Sequence, residues 1–370
     1  MSIIIFIIVL VVLILVHEFG HFISAKKSGI RVDEFGIGFP PRIIGKKIGE
    51  TIYSLNLIPF GGFVKIFGED PNEESISGSD SKRSFVNKKR RIQALTIAMG
   101  VIFNILLAVV LFSVGFFIGM PVSDNDPLIV EKGYEITSSK LTIISVLDGA
   151  PADIAGLKAG DIVLSVATRS DNVEVVNADN VSDFIATHNG EDIAFVYERG
   201  GEIALAEIVP KDDVVPDEPE RATIGTLLGD VGTLKLPIHR AIIEGVVLTG
   251  EMTVLIAVGL GGFIASAITL NADLSQIAGP VGIVGLVGDA AALGLIALLN
   301  FTAIISIHLA IINLFPFPAL DGGRLVVIAI EAIKKSALNP RIVNAVNGIG
   351  FILLILLMLA VTYSDIIKLF

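Results

Sequence analysis

His17-Glu18-Phe19-Gly20-His21 closes an apolar run that extends from Ile3 to Val16. In an H-E-x-x-H pattern two imidazoles stand one helical turn apart on the same face, where both can ligate one zinc ion. The carboxylate that follows the first His can serve as general base toward a metal-activated water. His17, Glu18 and His21 are the only ionisable side chains in the first 23 positions. Ionisable groups at bilayer depth are costly, and where they occur they pair, ligate or react. The spacing therefore predicts a metal centre inside a transmembrane helix. The competing reading, two packed histidines beside a solvated glutamate, leaves three polar groups in lipid with nothing to compensate them.

A second constellation, Asn313-Leu314-Phe315-Pro316-Phe317-Pro318-Ala319-Leu320-Asp321-Gly322-Gly323-Arg324, ends another apolar run. Two prolines two residues apart break a helix, and broken backbone at membrane depth must be buried in protein or reached by water. Asp321 is the residue such a break can aim at a metal; two imidazoles and one carboxylate make a three-ligand zinc site with a fourth position open. Asp321 equally suits the N-cap of a helix over 323–333. Asn313 can hold a substrate backbone or bond between helices. His308 reads as a packing or water-lining residue, and His188 and His239 as solvated. The chain has no cysteine, so any metal is held by His and carboxylate.

These groups need a scaffold that crosses the membrane. Of 370 residues 53% are hydrophobic and the mean hydropathy is +0.79, which defines a polytopic α-helical membrane protein. About four transmembrane helices are expected. The expected order is 1–25 with H-E-x-x-H, 26–91 as a basic β-region, 92–120, an inserted module at 137–211, a segment at 241–285, 290–333 with the second constellation, and 343–364. No basic n-region or small-residue cleavage site marks the first run as a cleaved leader. Residues 26–91 carry 13 Lys and Arg, which puts that loop in the cytoplasm and the N-terminus outside. Residues 121–240 carry nine basic against 22 acidic groups, a net of −13, against a net of −11 for the whole chain. That balance suits a soluble outward domain and excludes nucleic acid as a partner. Residues 241–270 are apolar enough for a fifth span, but Glu244 and Glu251 interrupt them, so an interfacial or re-entrant helix is expected.

Residues 30–67 are rich in β-branched and aromatic residues with Gly and Pro punctuation and predict short strands. They form either a sheet dipping into the inner leaflet, whose edge can receive a substrate strand, or an ordinary cytoplasmic hairpin. Residues 69–82 read as a polar loop. In the external segment a strand at 142–146, a short helix ending at Gly156, a helix at 181–188 and a strand at 192–197 predict one compact α+β module.

Taken together these residues resemble the site-2 protease family of intramembrane zinc metalloproteases, most closely its bacterial RseP-like branch of sigma-factor regulators. HEFGH resembles the family's zinc motif and NLFPFPALDGG its Asn-to-Asp-Gly motif. EFGIGFPPRI and GGFVKIFGED resemble the membrane-associated β-region, GAPADIAGLKAGDIVLSV a PDZ signature, and QIAGPVGIVG the segment before the third span. The resemblance implies His17, His21 and Asp321 as Zn2+ ligands, Glu18 as catalytic base and Asn313 as a substrate-binding residue. It also implies an extracytoplasmic PDZ-like domain that contacts a substrate or partner C-terminus. It implies location in the cytoplasmic membrane, and single-span substrates such as an anti-sigma factor or signal-peptide remnants. Two departures stand out: Gly100-Val101-Ile102-Phe103-Asn104 lacks the Pro of the family's Gly-Pro-x-x-Asn motif, and one PDZ pattern is present where enterobacterial relatives have two. A non-catalytic scaffold and an ion transporter are the rival readings. The absence of inverted repeats weighs against the second.

Overall fold

The computed structural model describes residues 2–69, 73–147, 149–214, 221–269 and 278–367. The chain divides into two compact units, Met1–Val114 with His239–Phe370, and Gly115–Ile238.

The first unit is built on α1 (Ser2–Lys27). Its apolar residues carry no charge until the site, and Lys26 and Lys27 complement the dipole of its last turn. Gly29, at φ +65°, ends it in the left-handed conformation that a side chain resists. The chain then enters β1 (Val32–Ile48) and β2 (Thr51–Ile66), which pair antiparallel. Their register is more elaborate than a hairpin: Gly36 lies opposite both Phe63 and Ser54, and Ile44 opposite Leu55. Each strand bends back on the pair, so four short segments lie side by side in the order 62–66, 32–37, 52–58, 42–48. The 62–66 segment is an outer edge. At the hairpin tip Glu50 takes Lys26 and Arg83, each at 2.6 Å. The Lys26 ammonium, with Arg83 beside it, holds the Glu50 carboxyl below the usual carboxylate range. That contribution is present above the free-carboxylate pKa and is lost as pH falls through the folded value; for so exposed a pair it is no more than about 1 kcal/mol.

The segment expected as a loop over 69–82 holds a short helix, α2 (Glu73–Ser77), and a 3₁₀ turn at Ser81–Arg83. Then comes α3 (Arg90–Ile118).

The second unit carries a six-stranded sheet. In chain order its elements are β3 (Met120–Ser123), α4 (Pro127–Val130), β4 (Thr137–Val146), α5 (Pro151–Ile154), β5 (Ile162–Ala167), α6 (Ala178–Thr187), β6 (Ile193–Arg199), β7 (Glu202–Ile208) and β8 (Thr226–Leu234). The strand order is β3-β8-β4-β5-β6-β7. Alternate residues of the strands meet Val181, Phe184 and Ile185 of α6 over a core that includes Ile143, Val163, Ile193 and Phe195. The sheet therefore exceeds the expected 137–211: β8 inserts between β4 and β3, pairing Thr142 with Gly229 and Met120 with Leu234. Such long-range pairing leaves no local pattern in the sequence.

The first unit resumes with α7 (Ile238–Ile268), α8 (Pro280–Ala292), α9 (Leu295–Leu314), α10 (Asp321–Lys334) and α11 (Pro340–Ile367). The 290–333 region, expected to break once at its prolines, is thus three pieces. Gly294, at φ +107°, separates α8 from α9, and Pro316 and Pro318 separate α9 from α10. Among the described residues five helices, α1, α3, α7, α9 and α11, are long and apolar enough to cross a membrane, against about four expected. The addition is α7. Glu244, which interrupts it in sequence, is buried in the protein, and Gly245 lies against Ser113 of α3, so the charge does not prevent a continuous helix. Of the QIAGPVGIVG motif, Gln276 and Ile277 lie outside the described residues.

Candidate metal centre

Helical spacing places His17 and His21 on one face of α1, with ring centroids 4.8 Å apart and planes at 84°. Both are 7% exposed. Asp321 reaches them from the break between α9 and α10. After Phe315 leaves helical conformation, Ala319 at φ +73° turns the chain back. A Cβ on Gly322 would run into the Leu314 and Phe315 carbonyls, and one on Gly323 into that of Phe317. This close return of α10 onto the end of α9 is what the Asp-Gly-Gly sequence permits. Leu320, not Asp321, occupies the N-cap position, and Asp321 opens the helix with its side chain turned to the histidines.

His17 Nε2 lies 3.0 Å and His21 Nε2 3.3 Å from Asp321 Oδ2, and the two Nε2 atoms are 3.2 Å apart. A tetrahedral ion with legs of about 2.0–2.1 Å separates its ligand atoms by roughly 3.3 Å, so the spacing fits zinc. Among the described residues the buried Asp321 Oδ2 has no hydrogen-bond donor apart from the two imidazoles that face it, the condition of an atom whose partner is a cation. His21 Nδ1 donates to the Thr96 carbonyl at 2.9 Å, which leaves the Nε2 lone pair free to ligate. Among the described residues this is the one group of three or more His, Cys, Asp or Glu side chains suited to hold a metal.

A cavity of about 240 Å³ opens on the three donors, with Glu18, Phe63, Val64 and Glu69 in its wall. The Val64 backbone N–H, on the outer 62–66 strand segment, faces the Glu18 carboxylate. The outer edge segment of the sheet therefore runs along Glu18 and the three donors. The structure brings together four of the five sequence-selected residues. Asn313 sits half-buried in the last turn of α9, outside this cavity wall. His308 is exposed and bonds back to the Ile304 carbonyl at 2.9 Å.

Sequence reasoning noted Gly100 and Asn104 only as a departure from a family motif and gave their helix no part in the site. Thr96, Gly100 and Asn104 recur every four residues along one face of α3 and meet the histidines. A Cβ on Gly100 would lie 2.5 Å from His21 Nε2 and 2.8 Å from His17 Cε1, and one on Gly20 would strike the Met99 carbonyl. The two glycines let α1 and α3 cross closely enough for Thr96 and Asn104 to reach the rings. The i, i+4, i+8 spacing of two small or polar residues about a glycine was the available signal.

An apolar bundle with a His-Glu-His-Asp cluster inside it defines an intramembrane metalloprotease, and the comparisons agree. The model of peptidase family M50 matches residues 5–357. A candidate zinc metalloprotease of Clostridium perfringens is 34% identical, over 96% of this chain and 95% of its own. The zinc metalloprotease RasP of Geobacillus kaustophilus is 32% identical, over 100% of this chain and 98% of its own. The PDZ domain of an SdrC-like protein from Listeria monocytogenes, a solved structure, is 21% identical and covers 25% of this chain and 92% of that one at a TM-score of 0.21. The chain belongs to peptidase family M50. It is a site-2-type intramembrane zinc metalloendopeptidase that acts on membrane-protein substrates, and its cofactor is Zn2+.

Proposed function

We propose that the chain hydrolyses a peptide bond in or beside the transmembrane segment of single-span proteins, which it receives as an extended strand. The observation that carries this reading is the convergence of His17, His21 and Asp321 beside Glu18 and the outer 62–66 edge. His17, His21 and Asp321 would hold the ion. When bound, Zn2+ supplies a Lewis acid that polarises the scissile carbonyl and acidifies water. Glu18 takes a proton from the attacking water as its oxygen bonds to the carbonyl carbon, and returns one to the amine as the C–N bond breaks. The Val64 N–H faces this carboxylate and favours its charged form. Strand pairing on the 62–66 edge presents an unwound segment with its carbonyl exposed, and Asn313, just before the break, steadies the backbone farther along.

A substrate helix must unwind before it can pair. A single-span substrate with Gly or Pro in its target segment is therefore expected to be cut about tenfold faster than one rich in Leu and Ala. Equal rates on the two in a detergent assay would remove the strand-presentation reading.

The basic 26–91 loop faces the cytoplasm in this reading, with the N-terminus and the 120–234 domain outside the cytoplasmic membrane. Four helices cross: α1, α3, α9 and α11. Gly288 of α8 lies against Ser2, where α1 begins, and Asp365, where α11 ends, accepts from the Gly279 and Gly282 N–H groups at 3.1 and 2.9 Å. Both ends of α8 thus sit on the outer side. If α7 crossed, the 11 residues between Ile268 and Pro280 would have to return across about 30 Å of hydrocarbon in near-full extension. An α7 lying along the outer interface removes that demand.

The outer domain, read as PDZ-like, contacts a substrate or partner C-terminus or bars bulky ectodomains, restricting cleavage to trimmed tails such as those of anti-sigma factors or signal-peptide remnants. Excision of 124–230, with the paired strands 120–123 and 231–234 joined by a two-residue turn, is then expected to let full-length substrates be cut as readily as trimmed ones. Retained discrimination would rule the filter out.

A further inference from the structure

We propose that Asn104 is a positioning residue that fixes the imidazole of His17 in the tautomer that ligates the metal. The proposal rests on the zinc site described above. For His17 to ligate through Nε2, that nitrogen must carry its lone pair, so the single proton of the neutral ring must sit on Nδ1. The proton then needs an acceptor. The atom facing His17 Nδ1 is Nδ2 of the Asn104 side-chain amide at 3.3 Å, and Asn104 is fully buried. Among the described residues Asn104 Oδ1 has no donor. The two ends of an amide occupy the same space, so a half-turn about its last bond sets Oδ1 against Nδ1 at no steric cost. The orphaned acceptor then receives the imidazole N–H that lacked one.

The backbone of Asn104 is tied to another helix of the site. Ser306 Oγ of α9 donates to the Asn104 backbone carbonyl at 2.8 Å. Asn104 is thereby pinned between the helix that carries the histidines and the helix that leads to Asp321. One turn back on the same face, Gly100 leaves room for both rings, and one turn before that the Thr96 carbonyl accepts from His21 Nδ1 at 2.9 Å. The two imidazoles are oriented by a single face of α3, a helix that contributes no ligand: one through a backbone carbonyl, the other through a side chain that mutation can remove. Acceptors behind metal-bound histidines typically set metal affinity by about 10–100-fold.

The test uses the full-length protein purified in detergent. Zinc affinity is read by chelator competition, and ligand geometry by the visible absorption of the cobalt-substituted form. Asn104→Leu keeps the shape and removes the acceptor; Asn104→Asp keeps an acceptor. The expected result is zinc affinity weakened by about 10–100-fold with an altered cobalt spectrum for Asn104→Leu, and affinity within a few-fold of wild type with the wild-type spectrum for Asn104→Asp. Wild-type affinity in Asn104→Leu would overturn the proposal. So would failure of Asn104→Asp to restore what Asn104→Leu loses, because the side chain would then serve packing alone. A wild-type protein that binds no zinc would refute the metal site itself, a result distinct from either.

Discussion

Glu18→Gln is expected to leave about one zinc per chain in place and to lower cleavage of a single-span substrate by about 10²–10⁴-fold. The substitution preserves size and shape, so the Val64 N–H still faces an oxygen and the cavity beside the donors keeps its volume. What disappears is the group able to take a proton from water and deliver it to the departing amine. Glu18 is not among the three donor groups that converge within 4.8 Å, so metal content and catalysis should separate. Elemental analysis of the variant alongside a gel-based cleavage assay checks both. Loss of zinc in Glu18→Gln would make Glu18 a ligand, and undiminished cleavage would make it a bystander.

Asp321→Asn is expected to lose the metal as well as the activity. Asp321 is the one anionic donor of the three, and its Oδ2 has no hydrogen-bond donor to stabilise it apart from the imidazoles. An amide oxygen keeps the shape but gives up the charge that balances a dication in a poorly solvated site. Zinc affinity should fall by more than the roughly 100-fold that an outer-shell change costs, and cleavage should drop to background. Competition titration against a chelator measures the first and the same cleavage assay the second. Full zinc retention in Asp321→Asn would return Asp321 to the alternative role of starting α10.

The chemistry of this chain was legible because its two motifs are local. His17 and His21 share a face by helical spacing, and Asp321 follows a double-proline break that only a functional purpose explains in a membrane. Cap geometry decided what the sequence left open: Leu320 takes the capping position and frees Asp321 for the histidines. The support of the site was not legible in the same way. Asn104 is 87 positions from His17, and the Ser306 bond to its carbonyl spans 202. No periodicity within α3 says which helix its polar face meets. The same limit hid the extent of the outer sheet, because β8 pairs with β4 and β3 across long stretches of chain.

The β-region shows an intermediate case. β-Branched and aromatic composition with Gly and Pro punctuation identified strands over 30–67, and the juxtaposition with the His-bearing helix suggested a substrate edge. Which edge faces the catalytic groups emerges only from the register, where Gly36 pairs on both sides and leaves 62–66 outermost. In α7, Glu244 and Glu251 set an interfacial helix against a fifth span in the sequence; a helix forms, and Glu244 is buried by neighbours within it. Charge at a membrane position disfavours lipid exposure, not helix.

The measurement that bears most directly on the central claim counts zinc in purified wild-type protein and maps, by mass spectrometry, the bond it cuts in a single-span substrate. The account predicts about one zinc per chain and a cut within the apolar segment. Folded protein devoid of zinc, or a cut confined to the soluble flanks of the substrate, would contradict it.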